Sequence, residues 1–66
     1  MKIKYFEDTD TALIEFSEHQ VEETKEINEN ILIDLDIEGN LVGLTIEHAN
    51  QYANIREFSF QQLSEA

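Results

Sequence analysis

The sequence predicts an α+β fold, a small antiparallel β-meander of four to five strands followed by a short C-terminal helix. Two observations predict it. Short runs in which apolar and polar residues alternate are separated by turn-forming residues, and after His48 the spacing of the apolar residues becomes helical. A chain of 66 residues has room for one core. We therefore expect residues 1–66 to form a single domain.

Five segments have the alternation typical of strands, at about residues 2–6, 11–17, 21–27, 31–36 and 41–47. The turns between them contain Asp, Asn and Gly, whose side chains or positive φ angles favour tight turns. The third segment is charged on both sides. We expect it at a sheet edge, where Lys25 and its neighbouring glutamates would discourage pairing with other chains.

The C-terminal part predicts a helix over about residues 49–56, because Ala49, Tyr52, Ala53 and Arg56 fall at helical spacing. This helix is expected to cover one face of the sheet. Residues 57–66 have two alternative predictions. The alternating Phe58 and Phe60 favour a strand, whereas residues 61–63 favour a further helical turn.

The alternation assigns most of the apolar side chains to one face of the sheet. That face is expected to carry Ile3, Tyr5, Ala12, Ile14, Phe16, Ile31, Ile33, Leu35, Val42, Leu44 and Ile46. The opposite face carries Phe6, Leu13, Leu32 and Leu41 among polar residues. Those four predict that the opposite face is covered by the C-terminal Phe58, Phe60 and Leu63 or by a second subunit.

Charge limits the partners of this chain. Four basic and fifteen acidic residues give a net charge of -11, which disfavours nucleic acid and anionic membrane surfaces. The whole excess lies between Glu7 and Glu38, where twelve acidic residues accompany only Lys25. This region is either an ordinary solvated surface or a docking surface for a basic protein.

The chain also lacks the features that stabilise or anchor many small domains. It has no cysteine for disulfides, so a homo-oligomer, a dimer or larger, is an expected source of extra burial. The N-terminal residues alternate instead of forming a signal-peptide core, and no segment has the roughly 18 to 20 consecutive apolar residues of a membrane span. We expect a cytoplasmic protein.

Three constellations resemble chemical sites, and each has a simpler interpretation. The run from Asp34 to Gly39 begins like a calcium loop, but Thr45 stands where the bidentate glutamate is needed. His19 and His48 lack a second histidine at helical spacing. The carboxylate pairs Asp8/Asp10, Glu22/Glu23 and Asp34/Asp36 lack the cleft that would raise one pKa. We therefore predict no catalytic residue, no cofactor and no metal, and a protein that is not an enzyme.

Several motifs together resemble the family called domain of unknown function 2283. They are Asp8-Thr9-Asp10, Ile14-Glu15-Phe16-Ser17, Glu23-Thr24-Lys25-Glu26 and, most specifically, the run from Ile31 to Ala49. The resemblance covers Met1 to about Ala53 and departs from the family pattern at Thr11-Ala12. It implies small, mostly prokaryotic, cytoplasmic proteins without assigned activity, and a suggested partnership with small toxin-like proteins.

Two functional hypotheses follow. The first is a protein-interaction module, in its sharpest form the acidic partner of a small basic toxin-like protein. The alternative is a self-assembling structural homo-oligomer with no separate ligand.

Overall fold

The computed structural model describes residues 1–64 and contains one five-stranded antiparallel sheet and one short helix. The strands are β1 (Lys2–Phe6), β2 (Thr11–Glu15), β3 (Glu23–Asn28), β4 (Ile31–Leu35) and β5 (Leu41–Glu47), and the helix is α1 (Ala49–Tyr52). The predicted fold class is confirmed.

The order of the strands is β1-β2-β5-β4-β3. The chain makes a first hairpin of β1 and β2, then a second hairpin of β3 and β4 at the far side, and finally inserts β5 between β2 and β4. The alternation of residues identifies strands but not their neighbours, so this order was not predictable from it. The third strand lies at an edge, as its charged residues predicted.

Strand register places the expected apolar residues in common rows. One row across the sheet contains Ile3, Ile14, Leu44 and Ile33, and the next contains Tyr5, Ala12, Ile46 and Ile31. Directly paired residues of antiparallel strands share a face. The face that carries these eight residues is here called the open face.

A shift of register between β4 and β5 changes the expected position of one residue. Beyond Asp34 the pairing slips by one residue, and Leu41 lies opposite Leu35. Such a bulge lets two residues of one strand oppose one residue of the other. Leu41 is therefore aligned with a residue of the open face, not with the opposite face to which strict alternation assigned it.

The helix is shorter than expected and does not cover a face of the sheet. It ends at Tyr52 because Ala53 is extended, with φ -152° and ψ 159°. Its first residue, Ala49, is fully buried and donates its backbone N–H to the carbonyl of Asp10. A single helical turn has too little apolar surface to replace a second layer, so the helix closes one end of the sheet instead.

The C-terminal segment has no regular structure in residues 57–64, so neither of the two forms expected for it is present there. The last two residues of that segment, 65 and 66, lie outside the described residues. Phe58 and Phe60 lie beside Met1 and Ile3 and remain largely exposed. The segment thus flanks β1 without covering the sheet.

The turn between β4 and β5 depends on a glycine. Gly39 has φ 84°, and a Cβ atom built there would have nothing within 4 Å. A substitution would consequently change backbone strain without a steric clash. Left-handed backbone costs L residues roughly 1–2 kcal/mol, and less for Asn.

We expect Gly39→Ala to lower the free energy of unfolding by about 1 kcal/mol and the melting temperature by about 4–8 °C. Gly39→Asn is the matched control and should lose less. Thermal unfolding followed by circular dichroism measures both. A Gly39→Ala protein as stable as the original would contradict the assigned turn conformation.

Candidate functional site

Asp36 organises the corner that follows β4. Its Oδ1 accepts backbone N–H groups from Glu38 at 2.9 Å and Asn40 at 2.8 Å. Its Oδ2 accepts from the Asn40 side chain at 3.3 Å and faces Nδ1 of His19 at 2.9 Å. One carboxylate thus holds the β4–β5 turn and joins it to the loop after β2.

This environment favours the ionised carboxylate. The hydrogen bond from His19, followed by that from the Asn40 backbone, lowers the pKa of Asp36 from 3.8 to about 2. The Asp36 side chain is only 9% exposed, whereas that of His19 is 65% exposed. A polar groove runs past them between the β2–β3 loop and the turn. The described contacts make this corner a structural junction.

A second polar cluster lies at the opposite end of the sheet. Tyr5 donates its hydroxyl to Oδ1 of Asp10 at 2.6 Å, and Asn50 donates its backbone and side-chain N–H groups to the same carboxylate oxygen. The Asn50 amide also donates to the Tyr5 hydroxyl at 2.7 Å. Asp10 itself has φ 55°. The cluster fastens α1 to the first hairpin.

The two titratable groups of this cluster shift in opposite directions. The hydrogen bond to Asp10 raises the pKa of Tyr5, because it stabilises the protonated hydroxyl. The same bond, opposed in part by desolvation, lowers the pKa of Asp10. Neither shift moves a group toward neutral pH, where acid–base chemistry would use it.

The two histidines lie at opposite ends of the sheet. His48 faces Oδ1 of Asn30, just before β4 begins, and His19 faces Asp36, just after β4 ends. Six residue steps of extended strand span about 20 Å. The two imidazoles therefore cannot bind one metal ion together. Within residues 1–64, no three or more metal-ligating side chains lie close enough to hold a metal ion.

The carboxylate pairs singled out in the sequence do not act as pairs. Asp34 accepts the Thr24 hydroxyl at 2.6 Å, while Asp36 binds its own turn. Asp10 binds Tyr5 and Asn50, while Asp8 is an exposed turn residue. Glu23 lies 3.7 Å from Lys25 along the same edge strand. These carboxylates thus contact different groups and do not share a site.

Two surfaces remain that could bind a macromolecule. The first, here called the acidic edge, consists of β3 with its flanking residues Glu22 and Glu29, and every residue of β3 is exposed. The second is the open face. Only Ala12, Val42 and Ala49 are buried hydrophobic residues among those described, and no large side chain is fully buried.

Sequence patterns singled out Asp10 only as a turn residue and one of a carboxylate pair, and they did not predict its contact with Asn50 or the His19–Asp36 contact. The signal for Asp10 was present, because Asp is among the few residues that tolerate left-handed backbone in a turn. The other contacts join residues far apart in the chain, and local patterns contain no information about them. The small residue in the unusual Thr11-Ala12 pair is now explained, since Ala12 is 1% exposed between Tyr5 and Ile46.

Comparison with known families places the chain in a class of proteins of unknown function. The model of the family described as Protein of unknown function (DUF2283) matches residues 2–50. The chain belongs to this family. Searches of curated proteins and of solved structures found no match. Among the described residues, no helix is long and apolar enough to cross a membrane.

The Asp36 corner predicts a specific loss of stability in acid. Its folded pKa is depressed, so its contribution is present above the unfolded value near 3.8 and disappears as pH falls toward about 2. We expect Asp36→Asn to weaken the protein above about pH 4 and to flatten this part of the pH profile. Urea unfolding across that range measures it.

Asp8→Asn is the matched control, because it removes an exposed carboxylate from a different turn. It should leave the slope of stability between about pH 4 and pH 2 unchanged. Equal slopes in the original protein and in Asp36→Asn would contradict the role assigned to Asp36.

Proposed function

We propose that this chain is a protein-interaction module that binds a small basic protein at the acidic edge. The observation that carries the proposal is the combination of an edge strand with a dense negative charge. All six residues of β3 are exposed, and residues 18–38 contain eight acidic residues and one basic residue.

The backbone of β3 supports docking by another chain. Within the described residues β3 pairs only with β4, so its other side has no strand neighbour. Alternate N–H and C=O groups of an edge strand point away from the sheet and can pair with an extended segment. Charge on such an edge also selects among partners, because acidic side chains repel acidic segments and attract basic ones.

The distribution of positive charge also favours binding of a basic partner at the acidic edge. Lys2 and Lys4 lie on β1, the edge farthest from β3, and Lys4 pairs with Glu15 at 3.1 Å. The only basic side chain on the acidic edge is Lys25, which lies beside Glu23. A basic partner is therefore attracted to one side of the molecule, which orients it before contact.

The role proposed is binding without catalysis, and a cytoplasmic location is part of the proposal. The polar clusters at both ends of the sheet fasten turns and the helix, which leaves the acidic edge for recognition. A small, basic, toxin-like protein is one partner with the required positive charge. Covering its positive surface would block the contact of that partner with nucleic acid.

The test is capture of partners from the native host by the tagged chain at low and at high salt. We expect a stoichiometric basic protein whose binding falls steeply with salt, because the attraction acts between exposed charges. Replacing Glu22, Glu26 and Glu29 by Gln should reduce its capture by about tenfold or more, which corresponds to about 1.4 kcal/mol.

The control removes the same charge elsewhere, with Glu7, Glu47 and Glu57 replaced by Gln. All three are exposed and lie outside the acidic edge. Capture that is equally weakened by both triple variants would reflect net charge alone and would contradict a docking site on β3. Absence of any basic partner at low salt would contradict the proposal as a whole.

A further inference from the structure

Within the described part of the chain, residues 1–64, no second sheet or long helix covers the open face. Stable small domains bury one face of a sheet against a second sheet or a helix. Here α1 has four residues and lies at the end of the sheet, and residues 57–64 flank β1. Of the residues in the two rows of the open face, Ala12 is buried, whereas Ile14, Ile31, Ile33, Leu44 and Ile46 are only half-buried.

The total surface shows how much cover is missing. The chain has 5508 Å² of accessible surface and a mass of 7.7 kDa. A folded monomer of that mass exposes about 4,300 Å². The difference is roughly 1,200 Å², whereas a standard protein interface removes about 800 Å² from each partner. This excess, to which the exposed residues 57–64 also contribute, is of the size that one interface removes.

The shape agrees with this difference. The radius of gyration is 13.3 Å and the molecule measures 41 × 31 × 20 Å. A globular chain of this length has a radius of gyration of about 11 Å. The protein is thus flatter and less compact than a globular chain of this length, and one broad side of its sheet is the open face.

We propose that two copies of this chain pack open face against open face, forming a two-layered homodimer. The face suits a second copy better than a basic partner, because its two central rows consist of Ile, Leu, Ala and Tyr residues. Its charged residues lie at the β3 rim, where Lys25 is paired with Ile33 and Glu23 with Leu35. Charged residues at the rim and apolar ones at the centre are the usual anatomy of an interface.

The exposed aromatic residues extend the same surface. Phe58 is 64% exposed and Phe60 is 75% exposed, and both lie against Met1 and Ile3 at the β1 end of the open face. This places three exposed apolar residues, Met1, Phe58 and Phe60, beside the row that contains Ile3, Ile14 and Leu44. In the dimer these side chains lie at the margin of the second copy, and contact with that copy removes them from water.

The opposite face is a poorer interface, although the sequence favoured it for self-association. Leu13 and Leu32 do lie there, paired through Thr45 of β5. They are surrounded by the Lys4–Glu15 ion pair and the Thr24–Asp34 hydrogen bond, whose charged groups would lose water in a dimer. Phe6 is on the edge strand beside Thr11.

The test compares two neighbouring residues of β2 that face opposite sides of the sheet. Sedimentation equilibrium of the original protein at micromolar concentration should give twice the 7.7 kDa mass of the chain. Ile14→Glu puts a charge at the centre of the open face and should weaken the dimer about thirtyfold or more, the loss typical of a central interface residue. Leu13→Glu, the matched control, should leave the dimer intact.

Two further measurements keep the test decisive. Circular dichroism checks that each variant is folded, and Ile3→Glu, at a residue already 39% exposed on β1, replaces Ile14→Glu if that variant unfolds. Salt should strengthen the dimer, because each copy carries a charge of -11, whereas salt should release a basic partner from the acidic edge. Failure of one proposal is thus distinguishable from failure of the other.

A monomer at every micromolar concentration would overturn the proposal. A dimer that survives both open-face variants, or that is lost in Leu13→Glu, would overturn it equally, because the interface would then lie elsewhere.

Discussion

The insertion of β5 between β2 and β4 is the constraint on which the rest of the structure depends. Among the described strands, the hairpins β1–β2 and β3–β4 do not pair with each other, and β5 joins them through two antiparallel ladders. Its ends add further bonds, since the carbonyl of Val42 accepts the N–H of Phe16 and the N–H of Glu47 donates to the carbonyl of Asn30. Without β5 each hairpin would be a two-stranded unit, which is marginal in water.

The central position of β5 also fixes where the polar clusters form. Because β5 ends beside the turns before β2 and β4, the residues that follow it meet Asp10 on one side and Asn30 on the other. At the opposite end of the sheet, β4 ends and a tight turn leads into β5. Asp36 holds this turn by accepting hydrogen bonds from its backbone. The ionisable groups with displaced pKa values therefore stabilise connections of the sheet.

A single sheet with one turn of helix has two consequences for function. Its two edges are accessible and differ in charge, because lysines lie on β1 and glutamates lie on and beside β3. Its apolar side has no second layer within residues 1–64, and the buried hydrophobic residues in that range are two alanines and a valine. The proposed basic partner binds the outer edge of β3 and the proposed second copy covers the rows of the open face, so the two sites meet at Glu23 and Lys25.

The sequence predicted the features that depend on local patterns. Alternation identified the strands and correctly placed residues such as Ile14 and Leu44 on one face, and the charges of β3 predicted an edge. It could not reveal that β5 pairs with β2, because pairing between distant strands leaves no local signal. The bulge that moves Leu41 and the early end of α1 also had no signal in the alternation, and together they changed which face was expected to need a partner.

The most direct test of the central claim, that the open face is half of an interface, is an isotope-filtered nuclear Overhauser experiment on a mixture of labelled and unlabelled chains. Such an experiment detects only contacts between copies. The account predicts cross-peaks from the methyl groups of Ile14, Ile33 and Leu44 to the second copy. Cross-peaks confined to Leu13 and Leu32, or none at concentrations where the protein is a dimer by mass, would contradict it.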